Sequence, residues 1–403
     1  MGPFAYSIAA AVVALLLNAP ERSGDPPTAF PPKDFIEYWS AARVHVAGGN
    51  PYAGEQLIAH QRIAAGEPYK TQPTMLWTPP WTLPLYWPFG VLDPAAAHWL
   101  WLLGQVFAAM LAGVLTWRAY GGPRSPLWLL VPLLVTATFG PLWWLVGYGQ
   151  NTAFVLLGVA GFLYFRTKGY PLAAGLLVAL TAIKPHLLAL FGLAIILDAT
   201  TRLGRRVLLG GIVAVIAASL FALIPNREIF GEFVEALRRP HSHAAPSVKE
   251  WQLPLASFHL RMAIDENQFR LQFLPIAGFG LLLIPYWWVR RKLWDWSVET
   301  PRLAFASLLA APYGGWIFDL TILLVPVIQG FVALTRTPRL IPVILAALAH
   351  LTISAATILV PTFLIRAGYS HGLHDFIWVT PILLGWWYSV AALAGTAVKP
   401  SRL

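Results

Sequence analysis

The chain contains no cysteine, so no disulfide and no thiolate-metal centre can take part in its fold or its chemistry. It is also poor in charge: Asp, Glu, Lys and Arg make up 11% of its 403 residues, against roughly a quarter in an average soluble domain. Low-complexity linkers, an internal repeat and a separate polar domain are absent as well, so a single domain over 1–403 is expected. What is there instead is 57% hydrophobic sequence with 19 tryptophans, arranged in repeated apolar runs. Those runs approach the ~20 residues that a membrane-spanning helix needs. The expectation is an all-α, polytopic transmembrane helical bundle, with about ten full spans plus a helical hairpin. The opening run, 4–17, has no basic stretch before it and is followed by Asn18-Ala19-Pro20-Glu21, which reads as an uncleaved anchor rather than a secretory signal.

The net charge of +10 is a topology signal. Basic residues such as Arg118, Arg124, Arg166, Arg202, Arg205, Arg206 and Arg290 to Lys292 are scattered over short loops, which the positive-inside rule assigns to the cytoplasm. Scattering of this kind argues against nucleic acid as a partner, since no single basic patch forms. Both termini then come out cytoplasmic in a multi-pass protein of the cell membrane. The segment 171–198 is broken by Lys184-Pro185. The residue before a proline is biased out of the helix, and a lysine at mid-bilayer is costly. A hairpin that enters and leaves on the same side is therefore expected, with Ile183 to His186 at its tip. Three outer segments follow: 19–94, long and with interfacial helices, then 225–270 and 361–375.

Active-site candidates come mainly from these outer segments. Asp34, Glu37 and Tyr38 follow a three-to-four residue spacing and share a helix face. Asp34 and Glu37 after Pro31-Pro32 also fit a capping box, and that reading stands beside a carboxylate base for a hydroxyl nucleophile. The run from Trp77 to Pro88 is too apolar for an ordinary loop and too rich in proline for a span, so it belongs in the interface. Gln150 and Asn151 either bind sugar hydroxyls or cap the next helix. Lys184 and His186 at the hairpin tip suit a phosphate, and Arg261 and Arg366 are further phosphate clamps. Asp319 lies inside a span, where a carboxylate usually faces a cavity or a partner. The pairs His241/His243 and His371/His374 have no accompanying ligand motif, so neither a metal nor a cofactor is expected.

Taken in order, several motifs resemble glycosyltransferase family 87. They are Asp34-Phe35 with Tyr38-Trp39, Gly49-Asn50-Pro51-Tyr52, Thr78-Pro79-Pro80 to Pro84, Gly149-Gln150-Asn151, Ala174-Gly175 to Ile183-Lys184-Pro185, and Pro312-Tyr313 to Asp319-Leu320. The resemblance covers residues about 30 to 330 and implies a membrane enzyme of the GT-C type. Such an enzyme transfers a sugar, mannose foremost, from a polyprenyl-phosphate donor to a lipid or glycan hydroxyl. It further implies Asp34 as general base, with Glu37 and Asp319 behind it, a donor phosphate near Lys184, and inversion at the anomeric carbon. Tyr38, Gln150, Asn151, Tyr313 and Asp319 would line the substrates. One departure is Ala311, which precedes Pro312 where the pattern has serine. The rivals are a lipid-linked saccharide ligase or polymerase and a secondary transporter, although the paired broken helices of a transporter are not found.

Overall fold

The computed structural model describes residues 34–65, 73–238, 255–265, 268–312, 315–338, 340–367 and 376–394. Among them the regular elements are all helical. Four helices are long and apolar enough to cross a bilayer: Pro94–Ala119, Arg202–Ala222, Arg270–Leu293 and Leu340–Leu364. A fifth span arises if Pro126–Ala137 and Gly140–Tyr148, bent by 62° at their junction, count as one. The about ten spans suggested by the apolar runs are not confirmed among the described residues, and the opening run 4–17 lies outside them. The physical reason is visible in the shorter apolar helices Thr152–Thr167, Pro171–Ile183, Pro185–Asp198, Asp319–Leu334 and Val379–Leu393. Several of them stop at polar or proline positions instead of running on. A helix of 16 residues such as Thr152–Thr167 is about 24 Å long, short of a ~30 Å hydrocarbon core.

The segment 171–198 doubles back. Its first leg runs as Pro171–Val178 and then as a tighter turn, Ala179–Ile183; the second leg is Ala189–Asp198. Between them Lys184 has left the helical region, at φ −131 and ψ 71, as expected of a residue before proline. Both ends of the segment lie together: Asp198, closing the second leg, is ion-paired at 3.2 Å to Arg166, which sits just before the first leg begins. The first leg packs closely on Arg202–Ala222. A side chain added at Gly175 would meet the backbone of Val207, and one at Gly210 the backbone of Leu172, so glycine on both faces lets the two helices approach.

Ahead of the spans, Phe35–Val46 is buried on nearly every side, packed on Leu83–Gly90 and on Trp101 of Pro94–Ala119. It ends at Gly48, whose φ of 79 suits glycine, and the turn signal at 48–52 is realised there. The apolar, proline-rich run folds as a short turn, Pro80–Thr82, followed by Leu83–Gly90. Trp81 donates its indole hydrogen to Ala182 O at 3.0 Å, which ties this run to the hairpin tip. These contacts bring the first loop, the turn at 149–152 and the tip at Lys184 to one end of the helix cluster.

Candidate active site

The site is organised by one amide. Gly149 closes the helix Gly140–Tyr148 in the left-handed conformation, φ 70, and the chain turns at once into Thr152–Thr167. A Cβ at Gly149 would lie 2.8 Å from the Cβ of Phe35, so the turn and the first helix touch through backbone. Asp34 N–H donates to Tyr148 O at 3.2 Å and Trp101 donates to Gly149 O at 2.7 Å, which secures the turn from both sides. Gln150 therefore projects among charged groups. Its Nε2 donates to Asp34 Oδ2 at 2.7 Å, while its Oε1 accepts from Tyr38 Oη at 3.0 Å and from Lys184 Nζ at 2.7 Å. A carboxylate on one side and two donors on the other fix which way the amide faces.

Lys184 continues the chain of bonds. Its ammonium donates to Asp319 Oδ1 at 2.8 Å and to Thr152 Oγ1 at 3.1 Å, so with Gln150 its three hydrogens are taken up. Asp319 is 1% exposed and also accepts from Thr152 Oγ1 at 2.7 Å and from Trp316 N at 3.2 Å. The Phe318 ring lies 5.1 Å below the ammonium, a cation–π contact that suits a cation removed from water. Beside this network, Asn151 Nδ2 donates to Tyr86 Oη at 2.9 Å, and Tyr86 meets Thr78 Oγ1 at 3.4 Å. Thr78 accepts from Thr82 at 2.9 Å, and its backbone carbonyl accepts from Tyr52 Oη at 2.9 Å.

The two acidic residues of the first helix are unlike each other. Burial, and after it the neighbouring charge of Asp34, hold the Glu37 carboxyl well above the ordinary carboxylate range. Burial, and then the charge on Glu37, likewise push the Tyr38 phenol up. Of the two, Glu37 is the one whose protonated form burial favours, and Asp34 is the one hydrogen-bonded to the Gln150 amide.

The structure decides against both capping alternatives. Asp34 occupies the N-cap position but makes no side-chain bond to its own helix, because its carboxylate is taken by Gln150. Asn151 likewise leaves its helix uncapped and turns to Tyr86. Of the residues singled out in the sequence, Asp34, Glu37, Tyr38, Gln150, Asn151, Lys184 and Asp319 converge here. His186, in the turn Pro185–Leu188, lies within electrostatic reach of Asp319 and Lys184. Arg261 has a partner of its own. It is buried on Leu255–Ile264 and donates to Gln272 Oε1 at 3.0 Å, while Ser257 of the same helix donates to Ala311 O at 2.8 Å. Tyr313 lies outside the described residues, as does the side chain of Arg366. The sequence reading placed Thr78 and Tyr86 only in the interfacial run and did not single out Thr152; Thr152 directly follows Gly149-Gln150-Asn151, and that adjacency was the available signal.

The model of glycosyltransferase family 87 matches residues 77–317, well over half of the chain. That span takes in Gln150, Asn151, Thr152 and Lys184, and leaves Asp34, Glu37, Tyr38 and Asp319 beyond its ends. No curated protein and no solved structure matches the chain. With the long apolar helices and the family match together, the chain belongs to glycosyltransferase family 87 and is a membrane glycosyltransferase.

Proposed function

We propose that this enzyme transfers a hexose or pentose, mannose foremost, from a polyprenyl-phosphate donor to a hydroxyl of a lipid or glycan acceptor. The site faces the extracytoplasmic side of one integral membrane domain whose termini are cytoplasmic, and the reaction inverts the anomeric carbon. The observation that carries the reading is the link from Asp34 through Gln150 to Lys184 and Asp319, which holds a carboxylate and a cation in fixed relation at one end of the bundle.

In this scheme the acceptor oxygen forms a bond to the anomeric carbon as the bond from that carbon to the phosphate oxygen breaks. The hydroxyl proton passes to Asp34, and the polyprenyl phosphate leaves as an anion that needs no proton, only positive charge nearby. Lys184, His186, Arg261 and Arg366 are the groups proposed for that charge. Lys184 would exchange a neutral acceptor, Gln150 or Thr152, for a phosphate oxygen while it keeps Asp319. Gln150 acts as a positioning residue, since its amide aims the Asp34 oxygen; Tyr38, Asn151, Tyr313 and Asp319 border the sugar and acceptor.

The test is turnover of a panel of labelled polyprenyl-phosphate sugars by membranes that contain the wild type or Asp34→Asn, with a mixed glycolipid extract as acceptor. Wild type is expected to consume one donor, and Asp34→Asn to be slower by roughly 10²–10⁴-fold with donor binding retained. Undiminished transfer by the variant would remove Asp34 as the base, and binding of a nucleotide sugar in place of every lipid donor would remove the donor class.

A further inference from the structure

The end of the bundle away from the site carries a second feature. Trp101 bonds to Gly149 at the site end of Pro94–Ala119; sixteen residues on, about 24 Å along the helix, Trp117 stacks on Trp128 with ring centroids 6.4 Å apart. Trp128 is part of the wall of a cavity of about 390 Å³, whose lining includes Val131, Phe331, Leu334, Thr335 and Val343. The volume falls in the ~300–1,000 Å³ range of ligand pockets, and the wall is mostly apolar, with Thr335 and Thr337 as its polar members.

The rim is basic. The wall residues fall within 128–131 and 331–343, and these stretches with the adjoining 118–127 contain no acidic residue but, among the described residues, Arg118, Arg124 and Arg336. Among the described residues no carboxylate pairs with Arg118, Arg124 or Arg336, whereas Arg166 pairs with Asp198, and Arg290 and Arg302 pair with Glu299. The guanidinium of Arg336 donates to a neutral acceptor, Tyr120 O, at 2.8 Å, and Arg118 donates to Arg124 O at 3.3 Å. Asp295 acts on Tyr120 electrostatically, but its carboxylate is committed to capping its own helix through Ser297. Arg336 thus lies between two residues of the cavity wall, Thr335 and Thr337, and the arginines around it outnumber the one carboxylate, Asp295, that acts on this region.

We propose that this cavity is a lipid site that takes one acyl chain of an anionic phospholipid, with the headgroup phosphate held by Arg124 and Arg336. Charge selects the headgroup and the apolar wall selects the chain, so a zwitterionic lipid satisfies only half of the site. The site lies in the leaflet opposite the glycosyl-transfer centre and is separate from any donor lipid bound there. The helix Leu324–Leu334 joins the two, since it follows directly on the turn that begins at Asp319 and ends at the cavity wall with Leu334.

The experiment is native mass spectrometry of the purified full-length protein, titrated with phosphatidylglycerol or phosphatidylcholine of identical acyl chains. Each arginine near a membrane surface is worth roughly five-fold in affinity for an anionic lipid. Wild type should retain its first phosphatidylglycerol on the order of 20-fold better than phosphatidylcholine, and Arg124→Gln with Arg336→Gln should abolish that preference. Arg336→Lys, which keeps the charge and loses the fork to Tyr120, should keep most of it. Val131→Trp, which fills the cavity and leaves the rim intact, should lower retention of both lipids. Equal retention of the two lipids by wild type would overturn the proposal. So would unchanged retention of both lipids by Val131→Trp, because the lipid would then be an annular one held by surface charge alone.

Discussion

The helices that advertise a membrane and the helices that build the site are different sets. Arg202–Ala222, Arg270–Leu293 and Leu340–Leu364 each hold a long apolar window, yet only 17–22% of that window is buried in protein. Their apolar side chains face outward, as expected where lipid is the solvent. The helix Thr152–Thr167 and the segment Asp319–Leu334 are shorter and interrupted at their ends by Asn151 and Asp319, yet their residues are mostly buried and carry the polar network. Apolar length thus marks the periphery. Interruption of apolar sequence by a polar group marks the centre, because a charge in a low-dielectric surrounding persists only where a partner meets it.

The sharpest way to break this comparison is to remove one charge from the centre. Lys184→Ala strips Asp319 of its counter-ion where the carboxylate is 1% exposed, and removal of one partner of a buried pair costs about 3–5 kcal/mol. A large fall in detergent thermal stability is expected, together with loss of transfer. The double change Lys184→Met with Asp319→Leu removes both charges and should regain much of the stability but none of the activity. If Lys184→Ala melts like wild type, the pair does not brace the centre and the contrast with the periphery fails.

A smaller effect distinguishes the two carboxylates of the first helix. Glu37 has its pKa raised in the folded protein, so the contribution of its protonated form is complete below about pH 4.5 and is lost as pH rises through the folded value. Glutamine imitates the protonated carboxyl. Glu37→Gln should therefore flatten the decline of stability on the alkaline side and leave transfer within a few-fold of wild type, whereas Asp34→Asn stops it. A Glu37→Gln enzyme as inactive as Asp34→Asn would move the base from Asp34 to Glu37.

These contrasts also mark what was legible in the sequence. That the chain is helical and membrane-embedded follows from apolar runs alone, and Lys184 and Asp319 stand out because ionisable residues inside such runs are rare. The break at Lys184-Pro185 is a local preference of the residue before proline, so it too can be read without a structure. The partnerships are another matter. Asp34 and Gln150 are 116 residues apart, and nothing in the spacing around either says that the amide reaches the carboxylate rather than a helix end. The span count is not confirmed, since among the described residues several apolar runs that end at polar residues fold as helices of 10–17 residues.

The smallest expected effect tests the periphery itself. Ile216 on Arg202–Ala222 is 52% exposed, whereas Leu156 on Thr152–Thr167 is 1% exposed. Leu156→Ala should lower stability by about 2–5 kcal/mol, because it leaves a cavity among packed neighbours. Ile216→Ala should stay within about 0.5 kcal/mol, since the side chain meets lipid tails that are as apolar as itself and close over the change. Thermal unfolding of both variants in the same detergent makes the comparison direct. A loss at Ile216 as large as at Leu156 would mean that this face packs against protein, a second copy of the chain being the first partner to examine by cross-linking, and the helix would then leave the periphery for an interface.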